Sequence, residues 1–341
     1  MEGDNNGELT AVEEPSITRS EPWFEDGNIV VITERTAFCV HKAQLARQSE
    51  VFAGMFTITQ PTASDISTFE GRDVVHVHDA VEDLKNLLTA LYDGVDFNSR
   101  NLDDFLYLAG IARLSTKYMI HQLRQRAIRY LISINPVTHE RYKEWAAEAI
   151  SREKAQEDGE PWPYVHSSLI IRLAKDINAE FLLPCAFYRL TLSQPKHNFE
   201  TYIGTRSRSL LSSQEMFKYV IMDEHMRMSL LAFVRGLSDN RDTFLSKDCE
   251  SMEGDNCYEA FDKVLEYAKT TMVLKGPLRG PDGAVRRVIQ FLRDKCKPTA
   301  CSPCTRLFIA SAEESRRAIW DQLPGYLGLP GWAELIPEEY K

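Results

Sequence analysis

Asp26-Gly27-Asn28-Ile29-Val30-Val31-Ile32 leads, after a short charged turn, into Phe38-Cys39-Val40-His41-Lys42-Ala43-Gln44-Leu45-Ala46-Arg47-Gln48-Ser49-Glu50-Val51-Phe52 and Met55-Phe56. The β-branched run from Ile29 to Thr33 suits a buried strand, and Thr36 to Val40 is its return strand. From His41 onward, Ala43, Leu45, Ala46, Val51, Phe52, Met55 and Phe56 line one face of a helical segment, with Ser49 as a break or cap inside it. Gln60-Pro61 ends that helix. The block holds no obvious nucleophile, acid–base pair or phosphate loop. Its order of pieces points to an interaction module rather than an enzyme.

Outward from this block the pattern continues. Val74 to Val77 reads as a third strand, with Val75 and Val77 on one face and His76 and His78 on the other. Asp79 is placed as the cap of a helix whose inner side carries Leu84, Leu87, Leu88 and Leu91, and Gly94 fits the position just past its end. Asn101 opens a further helix with Phe105, Leu106, Leu108, Ala109 and Ala112 inward. The next carries Tyr118, Leu123, Ala127, Ile128 and Leu131 and stops before Asn135-Pro136. Beyond Pro136 the apolar spacing is helical throughout, with no confident strand and no fixed-period repeat. Residues 214–237, 258–272, 285–296 and 307–323 each read as helices, and 279–283 (Arg-Gly-Pro-Asp-Gly) as a turn that lacks the phosphate-loop pattern.

The chain resembles the BTB/POZ family across about a third of its length. Asp26 matches the acid near the first strand, and Phe38 and His41 match a Phe-x-x-His signature. Leu45, Ala46, Ser49, Phe52, Met55 and Phe56 match the following helix. Leu87, Leu91, Tyr92 and Gly94 match a Leu-x-x-x-Leu-Tyr-x-Gly helix end, and Leu108, Ala109, Tyr118 and Leu123 match the last two helices. The resemblance implies an α+β N-terminal BTB/POZ domain, a small sheet with helical hairpins, followed here by a mostly α-helical C-terminal region. The expected divisions are a disordered tail over 1–20, the BTB/POZ domain over 21–135, a helical region over 136–245 and a cysteine-containing helical region over 246–341. With Trp320, Leu323, Pro324, Gly328, Leu329, Pro330 and Trp332 near its end, the layout resembles a group of fungal, basidiomycete-type BTB proteins. The apolar tail carrying Trp332 is expected to dock on the last long helix.

Composition bounds the partners. Of 341 residues, 43% are hydrophobic, enough for a substantial core, and the net charge of -10 repels nucleic-acid phosphates. Arg124, Arg126 and Arg129 read as a solvated helix face. The acidic N-terminus is not a targeting peptide, and no apolar run reaches the ~18–20 residues of a membrane helix. No nucleic-acid or membrane partner is expected. Seven cysteines, an odd number, suit a reducing cytoplasmic or nuclear compartment without disulfides.

Among chemistry-bearing residues the cysteines stand out. Cys301-Ser302-Pro303-Cys304 is a CxxC, and Cys249 and Cys257 form a wider upstream pair. Four thiolates from two pairs suit structural zinc, the one cofactor considered; reduced loop cysteines are the plainer reading. A redox CxxC would want a βαβ context that is missing. Asp26, His41, Phe52, Met55, Phe56 and Ile58 are the candidate partner-facing residues, although His41 also suits a turn-fixing hydrogen bond and Phe52, Met55 and Phe56 suit a core. His76 and His78 share a strand face that reads as exposed and polar. Glu82, Asp83, Asp103 and Asp104 sit where acids favour a helix N-terminus and need no catalytic role.

The resulting expectation is a non-enzymatic protein-interaction module that dimerises or docks a partner through its BTB domain, in its most concrete form a substrate adaptor for a cullin-3 ubiquitin ligase. The alternatives are a transcription-associated BTB regulator and an enzyme with its site in the helical region. Cullin-adaptor relatives carry an apolar-x-acid motif after the helix ending near Phe56. Ile58-Thr59-Gln60 has Gln in place of the acid.

Overall fold

Strands β1 (Thr18–Trp23), β2 (Ile29–Thr33), β3 (Thr36–Val40), β4 (Thr68–Phe69) and β5 (Arg72–Val77) form one sheet in the spatial order β1-β3-β2-β5-β4. The protein is seen in a computed structural model that describes residues 17–57, 68–97, 102–155, 167–192, 211–239, 244–251, 255–274, 280–296 and 299–341. β2 and β3 pair antiparallel from Ile29–Val40 to Thr33–Thr36, while β5 runs parallel to β2 and β1 parallel to β3. Alternation sends Ile29, Val31, Phe38, Val40, Val75 and Val77 to one face, where they meet helix residues such as Leu45, Phe52 and Leu88. Val30, Ile32, Ala37, Cys39 and Val74 face the other way and are closed over by Ile17, Trp23 and Phe69. Burial on both faces explains why β2 is an unbroken apolar run.

β1 and β4 were not expected. Thr18, Arg19 and Ser20 belong to an ordered strand rather than to a disordered tail; the rest of that tail, residues 1–16, lies outside the described residues. Thr-Arg-Ser-Glu-Pro-Trp carries no apolar alternation because β1 is an edge strand. Backbone pairing and Arg19 hold it. Arg19 bonds Glu70 at 2.7 Å and stands 4.7 Å over the Trp23 ring. β4 has two residues, too few for any period.

Five helices complete this unit: α1 (Lys42–Gln48), α2 (Glu50–Met55), α3 (Val81–Asp93), α4 (Leu102–Lys117) and α5 (His121–Ile134). Ser49 breaks α1 from α2 as expected, its hydroxyl accepting the Phe52 N–H at 3.1 Å. The Asn28 side chain accepts the Lys42 N–H at 2.8 Å and so anchors α1 to the start of β2. Gly27 is required where the chain enters β2: a Cβ there would stand 2.6 Å from Cys39 Sγ and 2.9 Å from the Phe24 carbonyl. Gly94 ends α3 at φ +82°, a conformation that costs glycine little. The helix end assigned to Gln60-Pro61, and Asn101, lie outside the described residues.

Asp79 is not the cap of α3. Ala80 holds that position without a side-chain bond. The Asp79 carboxylate, nearly buried at 5% exposure, instead takes Lys117 Nζ at 2.6 Å and the Tyr118 hydroxyl. A local cap was outcompeted by a bond across 39 residues, which no local pattern reveals. Tyr118 itself lies between α4 and α5 and stacks on Phe52 at 4.4 Å.

The chain divides into two compact units near residue 128, and the second holds both expected helical regions. Its helices are α6 (His139–Ala155), α7 (Ser167–Asp176), α8 (Leu183–Leu192), α9 (Ser213–Asp239), α10 (Asp255–Leu274), α11 (Gly280–Phe291), α12 (Ser302–Tyr326) and α13 (Trp332–Leu335), with a π-helical turn over Leu292–Cys296. No strand occurs among its described residues. No helix of the described residues is long and apolar enough to cross a membrane. Gly280, Pro281, Asp282 and Gly283 form the first turn of α11 rather than a free turn, since a proline near a helix start lacks only an N–H that has no partner there. Arg279 lies outside the described residues.

α9 is apolar around much of its girth, so spacing alone does not select its buried side. Tyr219, Met222, Met226, Phe233 and Leu237 are buried, while Phe217, Val220 and Leu231 are exposed. Its N-terminus is a reciprocal capping box: the Ser212 N–H donates to Glu215 at 2.6 Å and the Glu215 N–H to Ser212 Oγ at 3.3 Å. Lys175 adds a bond to Glu215 at 2.8 Å. Burial pushes the Glu215 carboxyl up, but Lys175 and Ser212 more than offset that and hold it below its ordinary 4.5. Its stabilisation is therefore full above the unfolded-state value and fades as pH falls through the lower folded value. Glu215→Gln should cost roughly 1 kcal/mol near pH 7. Paired thermal melts should show that difference steady down to about pH 5 and shrinking below about pH 4.

The C-terminal tail packs on α12, as expected. The Trp332 indole N–H donates to the Trp320 carbonyl at 2.9 Å, and the two rings stack with centroids 5.3 Å apart.

Candidate functional site

Asp26, His41 and Tyr92 form one chain of bonds at the end of β3. The His41 N–H donates to the Tyr92 hydroxyl at 2.9 Å, and His41 Nδ1 lies 3.1 Å from the same oxygen. A hydroxyl that accepts the N–H and gives its own proton to Nδ1 suits a histidine protonated on Nε2, the tautomer that faces Asp26. Nε2 stands 3.3 Å from Asp26 Oδ1. Burial pushes the Tyr92 phenol up, so it stays a donor at neutral pH. Phe24 packs on both rings, at 5.2 Å from His41 and 4.4 Å from Tyr92. This network fixes the strand–helix junction. Its Asp26 end is the open one, at 85% exposure against 30% for the His41 side chain.

The apolar candidates divide by depth. Phe52 is fully buried and belongs to the core. Met55 and Phe56 pack against that core while remaining partly exposed. Ile58, with the Ile58-Thr59-Gln60 motif, lies outside the described residues. His76 and His78 are exposed, and no metal-competent group of described residues includes either. Glu82, Asp83, Asp103 and Asp104 occupy first turns of α3 and α4 as expected.

Residues 22–130 match the family model of the BTB/POZ domain. No curated protein and no solved structure matches the chain. The N-terminal unit is thus a BTB domain with a small mixed sheet and helices, followed by a mostly helical region. A BTB domain is a protein-interaction domain and not a catalytic one, which gives the Asp26-to-Phe56 block its positive meaning.

In the helical region the structure brings together the four cysteines singled out by sequence. Cys249 sits on the irregular segment 244–251, Cys257 in the first turn of α10, Cys301 at the N-cap of α12 and Cys304 in its first turn. All four Sγ atoms lie within 4.8 Å of one another. Cys249 Sγ is 3.7 Å from Cys257 Sγ and 3.8 Å from Cys301 Sγ. The Cys301 N–H donates to Cys257 Sγ at 3.3 Å and the Ser246 N–H to Cys304 Sγ at 3.2 Å. Such donors and two convergent helix N-termini favour negative sulfur. Burial pushes the Cys257 thiol up to about 11 and raises Cys304 further. At Cys301 burial also pushes upward, but the Cys304 and Glu250 amides and neighbouring thiols bring it down to about 7. The four groups are close enough to hold a metal ion.

The loose seven-residue gap between Cys249 and Cys257 is no obstacle, because the first lies on irregular chain that folds back over the start of α10. Cys296 lies outside this group and donates to the Ala260 carbonyl at 3.7 Å. A groove of about 420 Å³ between α9 and α12, lined by Phe233, Phe308, Ser311, Ser315 and Gln322 among others, has no titratable side chain in its wall.

Proposed function

We propose that the chain is a non-enzymatic protein-docking module whose BTB domain pairs with a second copy or with another protein, and whose helical region holds a further protein. The match of residues 22–130 to the BTB/POZ family carries this reading. Asp26, His41, Met55, Phe56 and Ile58 are its proposed partner-facing residues, the exposed Asp26 and part-exposed Met55 and Phe56 being the best placed for contact. Phe52 acts behind them as support.

The most concrete form is a substrate adaptor for a cullin-3 ubiquitin ligase. It is supported by a BTB domain followed directly by a helical region. The seven unpaired cysteines support a reducing compartment, cytoplasm or nucleus. The acidic balance supports protein rather than nucleic-acid partners. The Trp320–Trp332 stack supports kinship with the fungal BTB group. Within the helical region the cysteine cluster serves as a structural metal centre, with zinc as the ion.

A pull-down of purified cullin-3 by the full chain tests the adaptor form. Retention that is weakened by Asp26→Lys or Met55→Glu is expected. No retention at any salt concentration sinks the cullin-3 version and leaves the docking module to be tested with other partners.

A further inference from the structure

We infer that Cys249, Cys257, Cys301 and Cys304 form a closed tetrathiolate zinc(II) site, and that the ion clamps segment 244–251 onto the N-termini of α10 and α12. The inference rests on the structural-metal reading above and is independent of what the BTB domain binds.

Geometry comes first. A tetrahedron of sulfurs about 2.3 Å from a zinc ion has edges of about 3.8 Å. The two S–S separations of 3.7 and 3.8 Å meet that value, and every remaining pair lies within 4.8 Å. Small side-chain rotations complete the shell without moving a helix. A disulfide would need two of these sulfurs at about 2.05 Å and would leave the other two stranded.

Charge and ligand type come second. Four soft thiolates select zinc, iron or copper(I) over hard cations. Four protein ligands leave no open position, so the site is structural rather than catalytic. Zinc with four thiolates carries a net charge of about -2, which the two helix N-termini and the Ser246 and Cys301 N–H groups offset. Cys257 and Cys304 are buried, while Cys249 and Cys301 are partly exposed, so an ion has access from one side.

The clamp follows from what else holds segment 244–251. It has no regular helix or strand. Its anchors are the Phe244 ring, 5.9 Å from Phe261 and 5.0 Å from Phe308, the Leu245 side chain on the same core, the Ser246 N–H on Cys304 Sγ, Cys249 itself, the Glu250 N–H on Cys301, and Ser251 Oγ, which accepts the Asn256 N–H at 3.3 Å. The anchors from Ser246 to Glu250 run through the sulfur cluster. Without an ion, four adjacent thiols offer only weak S–H bonds, and the chain between Leu245 and Ser251 loses its firmest hold. Metal binding is thereby coupled to ordering this part of the unit.

Elemental analysis of the purified full chain after gel filtration tests the inference. One zinc per chain is expected, falling at least about tenfold in Cys249→Ser and in Cys304→Ser. If those variants fail to fold, cobalt(II) titration of the stripped wild-type chain gives an independent reading: strong thiolate-to-cobalt absorption saturating at one equivalent and abolished by zinc. Limited proteolysis should cut within 244–251 only after chelation. One iron per chain without zinc overturns the metal. A Cys301–Cys304 or Cys249–Cys257 disulfide in the freshly purified protein, or no cobalt absorption at all, overturns the site. Partner retention by the zinc-loaded chain is scored separately, so a failed docking reading and a failed metal reading are distinguishable.

Discussion

Phe52→Ala should cost the BTB domain about 3–5 kcal/mol. Phe52 has no exposed surface, stacks on Tyr118 at 4.4 Å with the rings 11° apart, and sits 6.0 Å from the Phe56 ring. It rides on α2, a helix of six residues, too short to hold itself without that burial. Its neighbours come from α1, α3 and the sheet, so a cavity there cannot collapse by moving one element. Domains of this kind hold only about 5–15 kcal/mol in all, and a loss of this size should lower the BTB melting temperature by more than about 10 °C. Phe52→Leu, which keeps most of the volume, should lose far less. Calorimetry of the full chain measures both. A shift of under about 2 °C for the alanine variant would return Phe52 to the partner-facing set.

The second large effect is expected at Asp79. Asp79→Ala removes the acceptor of the buried Tyr118 hydroxyl and the partner of Lys117. Lys117 is about half exposed and can turn to water, so its share is small. The phenol has no such escape, since Tyr118 is 2% exposed. A cost of about 2–4 kcal/mol follows, most of it from the orphaned hydroxyl and the lost charge-assisted bond. Asp79→Ser distinguishes this from helix capping. If Asp79 were a cap, serine would restore nearly all stability, because it caps as well as aspartate. The structure predicts that serine recovers less than half, since its shorter side chain falls short of Tyr118. Chemical denaturation of the three proteins decides between the two.

These two residues also show where the sequence was legible. Hydrophobic spacing located β2, β3, β5 and the helices around them, because burial imposes periods of two and 3.6 that survive in any sequence. It identified Ser49 as a break and Gly94 as a stop, since both act on chain within a few residues. It misread Asp79, whose partner is 39 positions away. It missed β1, an edge strand whose residues are at most half-buried and carry no apolar alternation, and it left the buried side of α9 open, where apolar residues on all sides leave the period without a phase.

The candidate metal centre was legible in a different way. Cys301 and Cys304 announce themselves as a CxxC, because two ligands at the start of one helix must share a turn. Cys249 and Cys257 do not, since their convergence depends on an irregular segment folding back onto a helix. The composition of the set was readable; the tetrahedral separations needed the fold. For the BTB residues the reverse holds. Asp26, His41 and Tyr92 were picked out by motif, but their joint role as a bonded junction follows only from the distances between them.

Light scattering of the purified full chain, alone and mixed with cullin-3 at micromolar concentration, tests the docking claim most directly. A mass above that of one chain is expected in at least one condition, either a dimer or a defined complex, weakened by Asp26→Lys with only a small change in melting temperature, since Asp26 is an exposed partner of His41. A single-chain mass in both conditions, from protein whose melting shows the BTB domain folded, would contradict both self-pairing and the cullin-3 adaptor form.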